Sequence, residues 1–241
     1  MNARIDLAAK AAFLFSAVLI AACQSGGYEA AQNAALETDD QKASYAIGLQ
    51  IGGSLADIED HVDMDAFLRG MQDAMSEREP VIAQAELQEV MMRFQQTIGE
   101  EQQARMEAEG AANLEAGEAF LAENAAKDGV MVTESGLQYE VMRAAEGPKP
   151  TAEDEVTVHY RGTLIDGTEF DSSYGRGEPT TFQVGGGVIA GFAEALQLMS
   201  VGSQYRFVIP GSLGYGPAGN GAMIGPNATL IFEVELIGVG E

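Results

Sequence analysis

The apolar residues of this chain change period near residue 129, and the two halves predict different architectures. Ahead of that point they recur at three- and four-residue spacing, the mark of one face of an α-helix. Ala43, Ala46, Ile47, Ile51 and Leu55 form a first stripe, with Thr38, Asp39 and Asp40 as candidate caps. Met64, Phe67, Leu68, Met71 and Met75 form a second, opened by Asp63 or Asp65. Pro80 breaks the chain, and Leu87, Val90, Met91, Phe94 and Ile98 form a third. The helical pattern runs from near Ala83 to Lys127. Beyond 99 its apolar positions thin to Met106, Leu114, Phe120 and Leu121, which predicts a long solvated arm. Gly99, Gly110 and Gly117 weaken that helix, each by up to about 1 kcal/mol relative to Ala, so a bend is expected there.

After Gly129 the period becomes two. Leu137, Tyr139 and Val141 alternate with polar residues, as do Val156, Val158 and Tyr160, then Tyr205, Phe207 and Ile209, then Leu230, Phe232, Val234 and Leu236. Asp166-Gly167 signals a hairpin turn. One short helix is predicted among these strands, with Ile189, Phe192, Leu196 and Met199 on one stripe and Gly202 past its end. The fold class is therefore α+β: a carboxyl-terminal antiparallel sheet wrapped on one short helix, preceded by an all-α domain with a long helical arm. Tyr160 and Phe232 fall on the buried phase. His159 falls on the outward phase and is expected to be solvated.

The amino terminus adds an address. Arg4 and Lys10 flank a weakly basic start, and Ala11 to Ala22 is an apolar run too short to span a bilayer, which takes about 20 residues. The run ends Leu19-Ile20-Ala21-Ala22-Cys23, similar to a bacterial lipoprotein cleavage box, and that resemblance implies lipidation of Cys23. The alternative is an ordinary signal-peptidase cut after Ala22 that leaves Cys23 as a spare thiol. Cys23 is the sole cysteine, so no intrachain disulfide can form. Gln24 after it leans, by family resemblance, toward the outer membrane of a Gram-negative envelope. The formal charge of −24 argues against nucleic acid, which needs a basic surface. The expected organisation is a signal peptide over 1–22, a flexible tether over 23–37, a helical dimerisation domain over 38–98, an arm over 99–128 and the sheet domain over 129–241.

Five segments of the second half carry a resemblance in order and spacing. They are Val156-Thr157-Val158-His159-Tyr160, Gly167-Thr168-Glu169-Phe170-Asp171-Ser172-Ser173, Gly187-Val188-Ile189-Ala190-Gly191-Phe192, Gly214-Tyr215-Gly216 and Ala228-Thr229-Leu230-Ile231-Phe232-Glu233-Val234. Together they resemble an FKBP-type peptidyl-prolyl isomerase domain over roughly Gly129 to Glu241. Ser44-Tyr45-Ala46-Ile47-Gly48, Leu68-Arg69-Gly70-Met71 and the helix after Pro80 resemble the amino-terminal domain of the Mip and FkpA group of envelope isomerases. That group dimerises through intertwined helices, so the resemblance implies a homodimer.

The implied chemistry has a physical basis. Rotation about a peptide bond faces a barrier of ~18–20 kcal/mol from amide resonance. The twisted transition state has lost that resonance and much of its charge separation. A dry aromatic cavity therefore disfavours the planar form relative to the twisted one. No nucleophile, metal or other cofactor is implied. Residue by residue, the resemblance implies a pocket of Tyr160, Phe170, Asp171, Phe182, Val188, Ile189, Phe192, Tyr215, Ile224 and Phe232. Phe192 would form its floor, and Phe170, Phe182 and Phe232 its walls. The Ile189 N–H would hold a substrate carbonyl, the Tyr215 hydroxyl would donate to the peptide, and Asp171 would face the rotating carbonyl or orient Tyr160. Without the resemblance, the aromatics read as core and Asp171 as a cap to Ser173 or an ion pair with Arg176.

Several positions depart from the commoner family pattern: Phe192 for Trp, Thr180 for Phe, Asn220 for His, and Gly225-Pro226 for Pro-Pro. Thr180 and Asn220 are expected to alter the rim, and Gly225 to loosen the loop after Ile224. Gly185-Gly186-Gly187-Val188-Ile189-Ala190 matches a dinucleotide fingerprint, but no acidic residue follows about 20 positions on. His61 and His159, far apart and without cysteine partners, do not make a metal site. The expected function is an envelope-anchored isomerase acting on proline-containing unfolded or extracytoplasmic polypeptides. The alternative is a holdase chaperone with weak or incidental catalysis.

Overall fold

A computed structural model describes residues 34–240. The expected leader and Cys23 lie outside the described residues. The chain divides into two compact units between Gln84 and Ala85.

In the first unit, Thr38 caps helix α1 (Asp39–Leu55). Its side chain accepts from the Gln41 N–H while Gln41 returns a bond to the Thr38 N–H, which satisfies two orphan donors. A 3₁₀ turn over Ala56–His61 follows. Helix α2 (Met64–Met75) is capped by Asp63, whose carboxylate accepts from the Ala66 N–H at 2.9 Å. Neither helix buries a residue; Tyr45, Ile47, Leu49, Leu68 and Met75 all stand exposed.

Helix α3 (Gln84–Ala125) runs uninterrupted for 42 residues through Gly99, Gly110 and Gly117, and so through the 98/99 boundary expected between bundle and arm. The helix is not interrupted at any of the three glycines. Gly110 and Gly117 are buried, and a Cβ on Gly110 would lie 3.1 Å from Pro226 Cβ. A Cβ on Gly117 would strike Thr229 Oγ1. The expectation of a wholly solvated arm is corrected: the absent side chains let the second half of α3 lie against the sheet domain.

Seven strands form one antiparallel sheet in that domain: β1 (Val130–Val132), β2 (Gln138–Arg143), β3 (Glu155–Leu164), β4 (Glu169–Ser172), β5 (Thr180–Gln183), β6 (Gln204–Ile209) and β7 (Leu230–Gly240). Their order is β1-β2-β6-β7-β3-β4, with β5 pairing the first half of β3 and β4 its second half. Helix α4 (Ser173–Arg176) is a single turn after β4, and α5 (Ala190–Leu198) is the short helix on the sheet. The alternation along β7 buries Leu230, Phe232, Val234 and Leu236, and along β3 it buries Val156, Val158 and Tyr160. These residues share one core with Phe192, Ala195, Leu196 and Met199 of the α5 region. Burying each large apolar side chain contributes about 1.5–3 kcal/mol, so this face sets the fold.

On the opposite phase of β6, Arg206 donates to Asn124 Oδ1 at 3.2 Å. Asn124 donates to Gln138 Oε1, and Gln138 to the Leu121 carbonyl, both at 2.9 Å. Asn124 and Gln138 are buried, and this fully bonded polar network fixes the end of α3 to β2 and β6. Among the described residues, no helix is long and apolar enough to cross a membrane.

Candidate active site

Sheet, α5 and the loop ahead of β7 enclose a cavity of about 370 Å³. Its lining includes all ten side chains proposed from the sequence: Tyr160, Phe170, Asp171, Phe182, Val188, Ile189, Phe192, Tyr215, Ile224 and Phe232. Phe192 enters from the first turn of α5, is 4% exposed, and touches three rings. Its ring centroid lies 5.0 Å from Phe232, 5.6 Å from Phe182 and 6.1 Å from Tyr160. Phe170 meets Phe232 edge-on at 5.5 Å. Such tilted and edge-to-face contacts suit the ring quadrupoles and hold the walls apart around the cavity.

The polar side of the cavity is one connected group. The Tyr160 hydroxyl donates to Asp171 Oδ2, and Arg176 Nη1 donates to Asp171 Oδ1 at 2.6 Å. Arg176 Nη2 donates to Tyr160 Oη at 2.9 Å and to Thr180 Oγ1 at 3.0 Å. The guanidinium also stacks over the Tyr160 ring, 5.5 Å from its centroid. The turn of α4, closed by left-handed Gly177 at φ 80°, swings Arg176 back over Asp171. Burial works to raise the Asp171 carboxyl, but the Tyr160 hydroxyl, the Arg176 guanidinium and the Ser172 N–H outweigh it and hold it below the usual carboxylate range. Burial, then the neighbouring Asp171, pushes the Tyr160 hydroxyl above its ordinary value. The group is thus one carboxylate, one neutral phenol and one cation.

Ile189 occupies the N-cap of α5 with extended backbone, and among the described residues no acceptor takes its N–H. Tyr215, 37% exposed, stands in the 3₁₀-turned loop before β7, and Asn220, Gly221, Ala222 and Met223 complete the cavity mouth. The Asn220 N–H donates to the Ile224 carbonyl at 2.7 Å, pinching that mouth into a small bridge.

Several details were not legible beforehand. Gly187, Gly221, Ala222 and Met223 line the cavity from irregular loops, where no periodic signal exists. Arg176 entered the sequence reading only as an alternative partner for Asp171, yet it joins Asp171, Tyr160 and Thr180 at once. Thr180, expected at the rim, holds Arg176 and is not part of the lining. Asp171 does not cap Ser173, since its oxygens take Tyr160 and Arg176; the Ser173 hydroxyl accepts from the Tyr160 N–H at 2.8 Å and meets His159 Nδ1 at 2.9 Å. His159 is accordingly not merely solvated, because the Tyr174 ring stacks on it at 4.7 Å.

Comparisons with known proteins agree across the chain. Residues 147–237 match the family model for the FKBP-type peptidyl-prolyl cis-trans isomerase, and residues 40–141 match the domain amino terminal to it. A probable FKBP-type peptidyl-prolyl cis-trans isomerase FkpA of Neisseria meningitidis is 47% identical over 207 residues, covering 83% of this chain and 74% of that protein. The outer membrane protein MIP of Legionella longbeachae is 40% identical over 226 residues, covering 94% and 97%. The crystal structure of FkpA from Escherichia coli superposes with a TM-score of 0.65 at 37% identity, covering 85% of this chain and 98% of that one. With an isomerase domain matched behind its own amino-terminal domain, the chain belongs to the FKBP-type peptidyl-prolyl cis-trans isomerase family, in its FkpA and Mip group.

Proposed function

We propose that the cavity between α5 and the sheet is where this family member catalyses cis–trans rotation about X-Pro bonds, and that the polar group beside it orients the substrate. One observation carries the reading: ten residues drawn from six separated segments (β3, β4, β5, the start of α5, the loop before β7, and β7) converge on a single aromatic-walled hollow. Rotation breaks no covalent bond, so the enzyme has only to favour the twisted amide over the planar one. A prolyl ring seated on Phe192 replaces water with apolar surface and removes the solvation that stabilises the planar, charge-separated amide. The free Ile189 N–H anchors a substrate carbonyl, and the Tyr215 hydroxyl donates from the mouth. Both Asp171 oxygens are already engaged, which favours the orienting role over direct contact with the rotating carbonyl. Exchange rates in a proline-containing peptide test the site. Asp171→Ala and Tyr215→Phe lower turnover while the domain stays folded; wild-type rates in both would refute the assignment.

The wider role follows from the helical unit and the leader. The clients are unfolded or extracytoplasmic polypeptides, since uncatalysed X-Pro exchange takes tens of seconds or more and slows folding. The exposed apolar residues of α1 and α2, and separately Leu87, Val90 and Met91 of α3, support pairing with a second copy of this chain. Sedimentation mass tests that, and a monomer at micromolar concentration rejects it. Cys23 carries the lipid anchor and holds the protein on the periplasmic side of the outer membrane, in keeping with the outer membrane name of the Legionella relative. Mass spectrometry of the membrane fraction reads the acyl chains directly. The same exposed methionines support a second reading, a holdase that clasps unfolded chains. A fragment ending near Asp128 that fails to suppress aggregation counts against it.

A further inference from the structure

The loop from Gly214 to Gly225 bears Tyr215 and Ile224, yet five of its twelve residues are glycine. Gly216, Gly219 and Gly221 all adopt positive φ, a conformation that glycine reaches without steric cost. The Asn220–Ile224 bridge closes the tip of the loop on itself but does not tie it to the rest of the domain. The loop's returning leg is held from outside. Asn113 Nδ2 of α3 donates to the Pro226 carbonyl at 2.9 Å, and Asn227 Nδ2 donates to the Gly110 carbonyl at 3.3 Å. The Asn227 N–H then donates to the Gly216 carbonyl at 2.7 Å, one residue from Tyr215. Asn227 itself sits at φ 56°, a left-handed conformation that asparagine tolerates better than most residues.

The glycines facing each other across this contact make it possible. A Cβ on Gly110 would press on Pro226 and Asn227, and one on Gly225 would meet Glu109 and lie 3.0 Å from Asn113 Nδ2. Gly225, expected to loosen the loop, instead admits the helix that clamps it.

We propose that α3 is a splint for the active site, with Asn113 and Asn227 as positioning residues that set the Tyr215–Ile224 mouth through Pro226 and Gly216. This rests on the cavity being the isomerase site. Force or displacement along α3 thereby reaches the mouth through two hydrogen bonds.

Kinetics of proline-peptide exchange test it, in the full chain and in Asn113→Asp, Asn113→Ala and Asn227→Gly. Aspartate keeps the shape of Asn113 but cannot donate, and glycine at 227 keeps the positive φ and the backbone bond while removing the amide. Gly99→Ala, on an exposed turn with open space around the new Cβ, is the control. In the three variants kcat/KM falls about three- to tenfold, as expected for one lost hydrogen bond, with KM raised more than kcat is lowered. The amide resonances of Gly216, Met223 and Ile224 shift or broaden with it, and the control keeps wild-type values in both. Unmoved resonances in Asn113→Asp and Asn227→Gly overturn the proposal, including where activity falls only with the folded fraction. A wild-type chain that does not accelerate exchange refutes the reaction site, and the resonances then decide the splint alone.

Discussion

Gly162 leaves room for Phe170: a Cβ built on Gly162 would lie 2.6 Å from both Cε2 and Cζ of that ring. The same Cβ would come within 3.0 Å of Phe232. Gly162 sits on β3 opposite both Asp171 of β4 and Phe232 of β7, so one missing side chain lets two aromatic walls close on the cavity. Gly162→Ala is expected to push Phe170 inward. Overpacking of this kind costs about 1–3 kcal/mol. Denaturant unfolding reads that cost, and kcat/KM for peptide exchange falls further than the lost folded fraction explains. Unchanged activity means that Phe170 swings outward and is not a wall the reaction needs.

Arg176 and Asp171 pair at the surface, with each side chain more than two-fifths exposed. An ion pair so solvated contributes little to stability, typically 0–1 kcal/mol. In the proposed site its work is orientation of the Tyr160 hydroxyl and the carboxylate. Arg176→Ala is therefore expected to leave the melting temperature nearly unchanged while lowering kcat/KM by about tenfold. A double-mutant cycle with Asp171→Ala gives less than additive loss, because the two act as one group.

The pH profile follows from the same group. The folded-state carboxyl of Asp171 lies below its unfolded value, so its contribution is present at neutral pH. That contribution is lost only as pH falls below the ordinary Asp range of about 3.9. The folded-state hydroxyl of Tyr160 lies above its unfolded value, so its contribution is complete at neutral pH. It fades only as pH rises past the ordinary Tyr range of about 10. Activity normalised to folded protein is expected to be flat between these limits. A titration near pH 6 or 7 in kcat/KM points to a group outside this set.

Two glycines of α3 behave oppositely. Gly99→Ala adds a Cβ into open space on an exposed turn and is expected to raise stability by up to about 1 kcal/mol through helix propensity. Gly117→Ala gains the same propensity but drives a methyl into Thr229, and is expected to lower the melting temperature. Thermal unfolding of the two variants side by side distinguishes them. Equal stabilisation shows that α3 stands away from the sheet in solution.

Period and propensity determined much of this protein. Leu230, Phe232, Val234 and Leu236 had to share a face because strand side chains alternate. Thr38 and Asp63 had to start helices because orphan N–H groups take short polar side chains. The aromatic lining was legible by family likeness, and all of it but Phe182 lies in the five segments that carry that likeness. Tertiary structure alone decided the contacts between segments far apart in the chain. Asn113 meets Pro226 across 113 residues, and neither the helical position of the one nor the turn signal of the other names its partner. Gly110 and Gly117 read as weak points of a helix because their open side faces something only the folded sheet supplies. Arg176 looked like one half of a single ion pair, since a guanidinium with five donors reveals its other acceptors only when strands β3, β4 and β5 bring them together. Local sequence sets conformational preference; the choice of partner comes from packing, and only packing can show what a glycine makes room for.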